Sequence, residues 1–509
     1  MTEAFNVQTA ALPGAPMEQD LSAPCPLVQA LIEALKIRHV RYCHWKSNIR
    51  LDDGLNAEDD LDLLVYRPHA EQFFAALTQV GFKLAEARFG SGHPGVLHAF
   101  AVDPDSLKLV HVHAYFQIVS GDSLVKSYHL PLESLLLDGA AKKSGMPIPS
   151  AEAEMVVFCL RILLKHSSLL ETLLVNRHYG SVAEEFAWLH ERASATSTRA
   201  LWLDLIPNAS GAEFDELCTA IADPAALVQR VRLGLRLSWR LRGWRRLGHT
   251  AAVASRLWRL VLLISCRLRR RRPRRLVAGG AMIAFVGPKA SGKSTLGAAL
   301  SSHLGTQLDL HRIHVGKPPA TLLSAPFRLF LPLLRRALPG ERSGEYQTLD
   351  RRNKMRYSFV YIVRMLLLAH DRRVQLLRSH RAATKGTIVV ADRYPSLEVG
   401  AIDSSPFSDA AIAASGSRLK SVLMRRERRF YENLPQPDLV IRLVAPIETT
   451  LARDASRNKR DGPDPQSLRR RRDIETVAEF PGVPVSLVSS NRSLDDTIAD
   501  VVRGVWFHL

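Results

Sequence analysis

Apolar positions over the first 150 residues change period repeatedly, from helical spacing to strict alternation and back. LVQALIEAL (27–35) carries them at helical intervals, whereas VRYCHW (40–45), DLDLLVYR (60–67), VLHAFAVD (96–103) and LKLVHVHAYF (107–116) read as strands. Between the second and third strands, HAEQFFAALTQVG sets Phe73, Phe74, Leu77 and Val80 on one helical face. This predicts an α+β domain over 26–150, after an Ala-, Pro- and Gly-rich lead-in at 1–25 that reads as disordered. From Glu152 strand signals vanish, and AEMVVFCLRILLKHSSLLETLLVN opens a helical domain over 151–229. At Ala281 the pattern turns over again. MIAFV is a strand, GPKASGKST a loop, LGAALSSHL a helix, DLHRIHV a strand and 359–382 a long helix; TIVVADRYP, PDLVIRLVA (437–445) and VSLVSS (485–490) supply three more strands before a closing helix, SLDDTIADVVRGVWFHL. Strands alternating with helices imply a parallel sheet covered on both faces, so 279–509 is expected to be an α/β domain.

Composition narrows the class. At 46% hydrophobic and 23% charged residues the 509-residue chain is globular, which excludes wholly disordered and fibrous proteins. No run of ~20 uninterrupted apolar residues exists to span a bilayer, and acidic Glu3 stands where a secretory signal wants basic residues, so a cytoplasmic chain is expected. Cys25, Cys43, Cys159, Cys218 and Cys266 lack close-spaced pairs, which argues against a disulfide framework or structural zinc.

Net charge is +19, and it is localised. Arg230 to Arg275 hold sixteen arginines with no lysine and no acidic residue, which leaves +3 for the rest of the chain. Tryptophan and leucine interleave with these arginines, so 230–278 reads either as a connector or as an amphipathic segment on an anionic membrane surface, peripheral at the inner face. Its apolar core, Leu260–Ile264, is too short to span; nucleic acid is the rival partner, since phosphates attract the same charge. PFRLFLPLLRR (326–336) is a second amphipathic candidate.

The strongest chemical signal is Gly287-Pro-Lys-Ala-Ser-Gly292-Lys293-Ser294, a G-x-x-x-x-G-K-[ST] loop between an apolar strand and a helix. Such a loop turns backbone N–H groups around a phosphate at a helix N-terminus. Gly287, Lys289, Ser291, Gly292, Lys293, Ser294 and Thr295 are therefore the expected nucleotide-binding residues; Lys293 reaches the outer phosphates and the Ser294 hydroxyl holds Mg²⁺. After the third strand of this half comes Asp392-Arg393-Tyr394-Pro395. A carboxylate at the carboxyl end of a parallel strand faces the ligand crevice, where it can hold magnesium or take an acceptor proton, and an adjacent arginine can clamp a planar anion; a salt bridge capping the strand is the plainer alternative.

On these residues, with Pro437-Asp438 and the basic stretch Arg453-Asp-Ala-Ser-Arg457-Asn-Lys459-Arg460, residues 280–509 resemble the thymidylate kinase-like branch of the P-loop nucleotide kinases. The resemblance implies a three-layer fold of sheet order 2-3-1-4-5, ATP and Mg²⁺ as cofactors, Asp392 and Arg393 serving metal and acceptor, and a lid carrying Arg453, Arg457 and Arg460. It also implies a homodimer. Two departures bear on the substrate: Lys289 stands where that family usually has an acidic residue facing the acceptor's sugar, and SLEVGAIDSSPF replaces its glutamine-containing element. The expected activity is γ-phosphoryl transfer from ATP to a nucleoside monophosphate or another phosphorylated or anionic acceptor; a non-catalytic ATP-binding scaffold is the alternative.

The amino-terminal block, CHWKSN (43–48) followed by Glu58-Asp-Asp60-Leu-Asp62, resembles the opening of the minimal nucleotidyltransferase fold. Alternation puts Asp60 and Asp62 on one strand face, where two carboxylates could share divalent metals. LVHVH (109–113) offers histidines where that family has a third carboxylate. An active nucleotidyltransferase in cell-envelope polysaccharide synthesis, an altered anion-binding fold and a ligand-free acidic strand edge all remain open from the residues.

Overall fold

In the computed structural model the described residues are 24–87, 92–167, 171–172, 179–269, 274–337, 357–401, 403–455 and 478–509. Of the lead-in expected at 1–25, residues 1–23 lie outside them, as do Arg457 and Arg460.

The amino-terminal half is built on helices α1 (Pro26–Ile37) and α2 (Ala70–Val80) and strands β1 (Tyr42–His44), β2 (Leu61–Val65), β3 (Lys83–Ala87), β4 (Val96–Val102) and β5 (Leu109–Tyr115). A sixth strand, β6 (Arg274–Leu276), completes the sheet in the order β1-β2-β5-β4-β3-β6. Alternation along β2 decides which face does what: Leu61, Leu63 and Val65 join the core under α1 and α2, while Leu64 joins a second core on the opposite face. That second core runs without a break from Cys43, Leu64 and Tyr115 into Phe158 of α3 (Ala151–His166), Phe186 of α4 (Tyr179–Arg192), Trp202 of α5 (Ala195–Leu205) and Leu217 of α6 (Gly211–Ala222). The helices thus form a layer on the sheet, because its second face is apolar and needs a cover.

Helix α7 (Leu227–Arg240) belongs to this layer as well. A Cβ on Gly234 would meet the Leu163 carbonyl at 2.4 Å, so the bare backbone lets α7 press against α3. Arg230, the first of the arginine run, is fully buried; it donates to the carbonyls of Ala220 at 2.9 Å and Pro224 at 3.0 Å, with its guanidinium 3.8 Å from the Tyr179 ring centroid. Within a segment expected to be a connector or an amphipathic surface segment, this arginine is a core residue, held because backbone carbonyls accept from both of its terminal nitrogens. Helix α8 (His249–Leu268), by contrast, buries no residue at all.

In the second half β7 (Met282–Val286), β8 (Leu310–Ile313), β9 (Ile388–Ala391), β10 (Leu439–Val444) and β11 (Val485–Ser489) form one all-parallel sheet, β8-β9-β7-β10-β11. Counted within this half the order is 2-3-1-4-5. Helices α9 (Lys293–Leu304), α10 (Ala325–Ala337), α11 (Phe359–Ala383), α12 (Arg418–Glu432), α13 (Ile447–Ala455) and α14 (Leu494–His508) accompany it. Asp438, at the start of β10, accepts from the Met282 amide at 2.7 Å, so Pro437-Asp438 clamps the amino ends of two strands, opposite the phosphate loop. In α10, Arg328 pairs with Asp371 at 2.6 Å while Leu329, Phe330 and Leu333 stay exposed.

Strand β6 stitches the halves together. While pairing with β3, it also accepts from Asp309 at 2.7 Å through the Arg274 carbonyl, and the Leu276 amide donates to Gly386 at 3.0 Å. Trp506 of α14 donates to the Gly81 carbonyl, and one apolar core includes Phe82, Leu276, Leu304 and Trp506.

Candidate functional site

The chain leaves β7, buried from Met282 to Phe285, and turns sharply, with positive φ at Gly287 (136°), Ala290 (65°) and Gly292 (96°), before entering α9 at Lys293. Glycine is obligatory at 287. A Cβ there would stand 2.6 Å from the Leu443 carbonyl, and the φ itself is closed to ordinary side chains. We expect Gly287→Ala to cost on the order of 2–3 kcal/mol and to weaken nucleotide binding, read by thermal denaturation with and without ATP.

The Lys293 ammonium donates to the carbonyls of Gly287 at 2.6 Å and Pro288 at 2.7 Å, folding back along the loop. Ser291 is fully buried, Ser294 and Thr295 are exposed on the first turn of α9, and Lys289 is half-buried. Loop amides, a lysine and a hydroxyl at the positive end of a helix form a donor set suited to phosphate oxygens and a phosphate-bound cation.

Asp392 follows β9 at the carboxyl end of the sheet; its amide donates to Ile313, and its carboxylate lies 3.3 Å from Arg312 of β8 and 3.9 Å from His314. A Cβ on Gly297 would be 3.5 Å from that carboxylate, so Asp392 packs beside the second turn of α9. Next to it, Arg393 and Tyr394 line the same cleft as Gly287 and Lys293, together with Phe285, Ser396 and Phe480. Cations from the ends of two neighbouring strands therefore face one space. Arg453 donates to the Ser490 carbonyl at 2.9 Å, beyond the end of β11.

Behind Arg393 lies a network that sequence reasoning missed. Arg372 of α11 is buried; it meets Asp403 at 2.5 Å, the Tyr431 hydroxyl at 2.7 Å and the Val315 carbonyl at 3.2 Å. Asp403 also faces Arg393 at 3.5 Å, and thereby steers the cleft arginine. Asp403 and Ser405 come from the SLEVGAIDSSPF segment, for which no role was legible, and Ser405 donates to Glu427 of α12 at 2.5 Å. The available signal was the periodicity of α12, which puts Glu427 and Tyr431 four residues apart on the inward face.

Glu427 is fully buried, and burial raises its carboxyl from 4.5 to about 8, against the lowering influence of Ser405 and Arg372. The folded carboxyl keeps its proton up to about pH 8, whereas the unfolded chain releases it near 4.5. Its stabilising contribution is therefore complete below pH 4.5 and lost as pH rises through about 8. Glu427→Gln should remove this slope and be more stable than the parent at pH 8 by an amount on the order of 2–4 kcal/mol, measured by denaturant titration across pH 5 to about 8.

The amino-terminal carboxylates do not converge on one cation. Asp60 accepts from His111 at 2.6 Å, whereas Asp62 lies 2.8 Å from the Lys46 ammonium and 3.1 Å from His113. Burial opposes ionisation of Asp62, but Lys46 and His113 outweigh it and hold the carboxyl well below the usual range. Lys46 also lies over the Tyr115 ring, where Lys126 sits on the same ring and burial pushes the Lys126 amine down to about 7. Among the described residues no group of three or more His, Cys, Asp and Glu side chains is arranged to hold a metal ion. In this arrangement a lysine supplies the positive charge beside Asp62, and histidine engages Asp60.

No protein-family model matches the chain, and neither does any curated protein. Among solved structures it is similar to deoxyadenosine kinase from M. mycoides with bound dCTP, at 17% identity over 44% of this chain and 97% of that one, with a TM-score of 0.25. A second structure of deoxyadenosine kinase from M. mycoides, with products dCMP and a flexible dCDP bound, matches at 16% identity over 44% and 97%, with a TM-score of 0.27. Similarity this faint carries no weight for activity, which this chain's own residues must argue. What those residues form is a mixed α/β protein whose second half combines a parallel sheet with a phosphate loop.

Proposed function

We propose that the second half is an ATP-dependent phosphotransferase acting on a nucleoside monophosphate or another phosphorylated or anionic acceptor. The observation that carries this reading is the cleft lined by both Lys293 and Arg393. Phosphoryl transfer asks a protein chiefly for positioning and for cations around the migrating group. The loop amides of 287–295 with Lys293 would hold the ATP phosphates, and Ser294 with Asp392 would hold Mg²⁺, whose charge neutralises those phosphates when bound. Arg393, oriented by Asp403, would clamp the acceptor's anionic group, and Lys289 would add positive charge where the resembled family places an acid. Arg453, Arg457 and Arg460 would act as the closing lid, which excludes water from the reaction.

Thymidylate fits this reading less well than other anionic acceptors, because the resembled family places an acid facing the acceptor's sugar where this chain has Lys289. ADP release measured across nucleoside monophosphates and sugar phosphates, with Lys293→Ala as blank, tests the proposal. ATP consumption indifferent to every acceptor offered would sink it.

A second reading has one observation in its favour. Asp392 is ion-paired to Arg312, as a strand-capping carboxylate would be, and a scaffold that binds ATP without turnover needs no more from it. In that case Asp392→Ala leaves ATP affinity intact and there is no turnover to lose, whereas in the enzyme it lowers turnover by about a hundredfold.

A further inference from the structure

A surface helix ordinarily buries its apolar stripe and shows its charges to water. Helix α8 is built the other way round. Val253, Leu257, Val261, Ile264 and Leu268 follow one another at helical steps of four, four, three and four, and each is between 39% and 79% exposed. The stripe is about 22 Å long at helical rise. Trp258, 56% exposed, flanks it. The arginines that touch the body of the protein lie off this stripe: Arg256 at its flank pairs with Asp122, and Arg259, on the far side, donates to the Gly92 carbonyl at 2.8 Å and meets His93 at 3.3 Å. Two polar anchors therefore hold the helix with its aliphatic face outward. Arg267 and Arg269 are exposed at its carboxyl end, and no acidic residue occurs anywhere between 230 and 275.

We infer that this face of α8 docks on an anionic phospholipid bilayer, lying in the interface. The charge argues for that occupant, since arginines at one end of an aliphatic stripe match acidic headgroups beside acyl chains, with a tryptophan at the boundary. Nucleic acid would call for arginines outward in place of leucine, valine and isoleucine. No helix among the described residues is long and apolar enough to cross a membrane, so the contact is parallel to the surface. This inference stands apart from the phosphotransferase reading, because none of its residues lines the cleft.

The test is flotation of the full-length chain with vesicles of phosphatidylcholine alone or with about 30 mol% phosphatidylglycerol, over a salt series. Binding should rise about tenfold or more on the anionic vesicles and weaken with salt without vanishing, as expected when apolar insertion adds to charge. Leu257→Glu with Ile264→Glu should cut that binding about tenfold or more, with melting temperature and ATP affinity unchanged, because both side chains are exposed. Any of three results would overturn it: no preference for anionic vesicles, a double variant that floats like the parent, or a parent dimer in light scattering that the double variant converts to monomer without any flotation. The last assigns the face to a second copy.

Discussion

Replacing Lys293 with alanine should lower ATP turnover by about a hundredfold or more while leaving the fold in place. The loop's backbone, not this side chain, sets the cradle, through the positive φ angles at 287, 290 and 292. What the substitution removes is the positive charge that the phosphotransferase reading sets against the phosphates. The ammonium's bonds to the Gly287 and Pro288 carbonyls are also lost, but Lys293 is only half-buried, so water can replace it and the stability cost is about 1 kcal/mol or less. ADP release read beside thermal denaturation separates the two quantities. Turnover close to the parent value in a well-folded variant would show that the loop's lysine is not the group that meets the phosphates.

The largest stability effect is expected at Arg372. Removing this buried guanidinium, as in Arg372→Leu, leaves Asp403 with Arg393 at 3.5 Å and strands the Tyr431 hydroxyl and Val315 carbonyl. Breaking a buried pair from one side costs about 3–5 kcal/mol, so the melting temperature should fall by several degrees. Arg372→Lys should not restore it, because three acceptors in three directions need a planar fork and an ammonium is a single point. If the second half is a phosphotransferase as proposed, the same variants should raise the acceptor's KM more than they lower kcat, since Asp403 faces Arg393 from behind the cleft. Equal loss in both would argue that Arg393 meets the migrating group and not the acceptor's distal anion.

Local pattern made the second half legible. A strand followed by Gly-x-x-x-x-Gly-Lys-Ser names its own geometry, because only certain backbone angles let glycine 287 pass the Leu443 carbonyl and only a helix start supplies converging amides. Asp392 and Arg393 were legible for a related reason: a polar pair just after an apolar run must emerge at a strand's carboxyl end. Arg372, Asp403 and Glu427 gave no such signal. They are separated by tens of residues, each sits in a charged or polar stretch that reads as surface, and burial is what turns them into a network.

The amino-terminal half shows the converse. Alternation put Asp60 and Asp62 on one strand face, and the structure turns Asp62 away from the α1 and α2 core, yet spacing along one strand says nothing of what stands opposite. Lys46, His111 and His113 arrive from the turn after β1 and from β5, and their positions decide that the carboxylates meet nitrogen donors. Arg230 and the α8 arginines make the same point within one compositional run: identical residues become a buried anchor, a pair of outer tethers or an exposed charge according to the surface they meet.

By itself the sequence determined the elements, the parallel architecture of the second half and the phosphate loop, since these follow from periodicity and steric rules acting over a few residues. Only the tertiary structure decided which charges are paired, which helix turns its apolar face to the outside and that β6 joins both sheets. Those outcomes depend on distances between groups remote in the chain, and electrostatic and packing energies respond to such distances, not to order along the backbone.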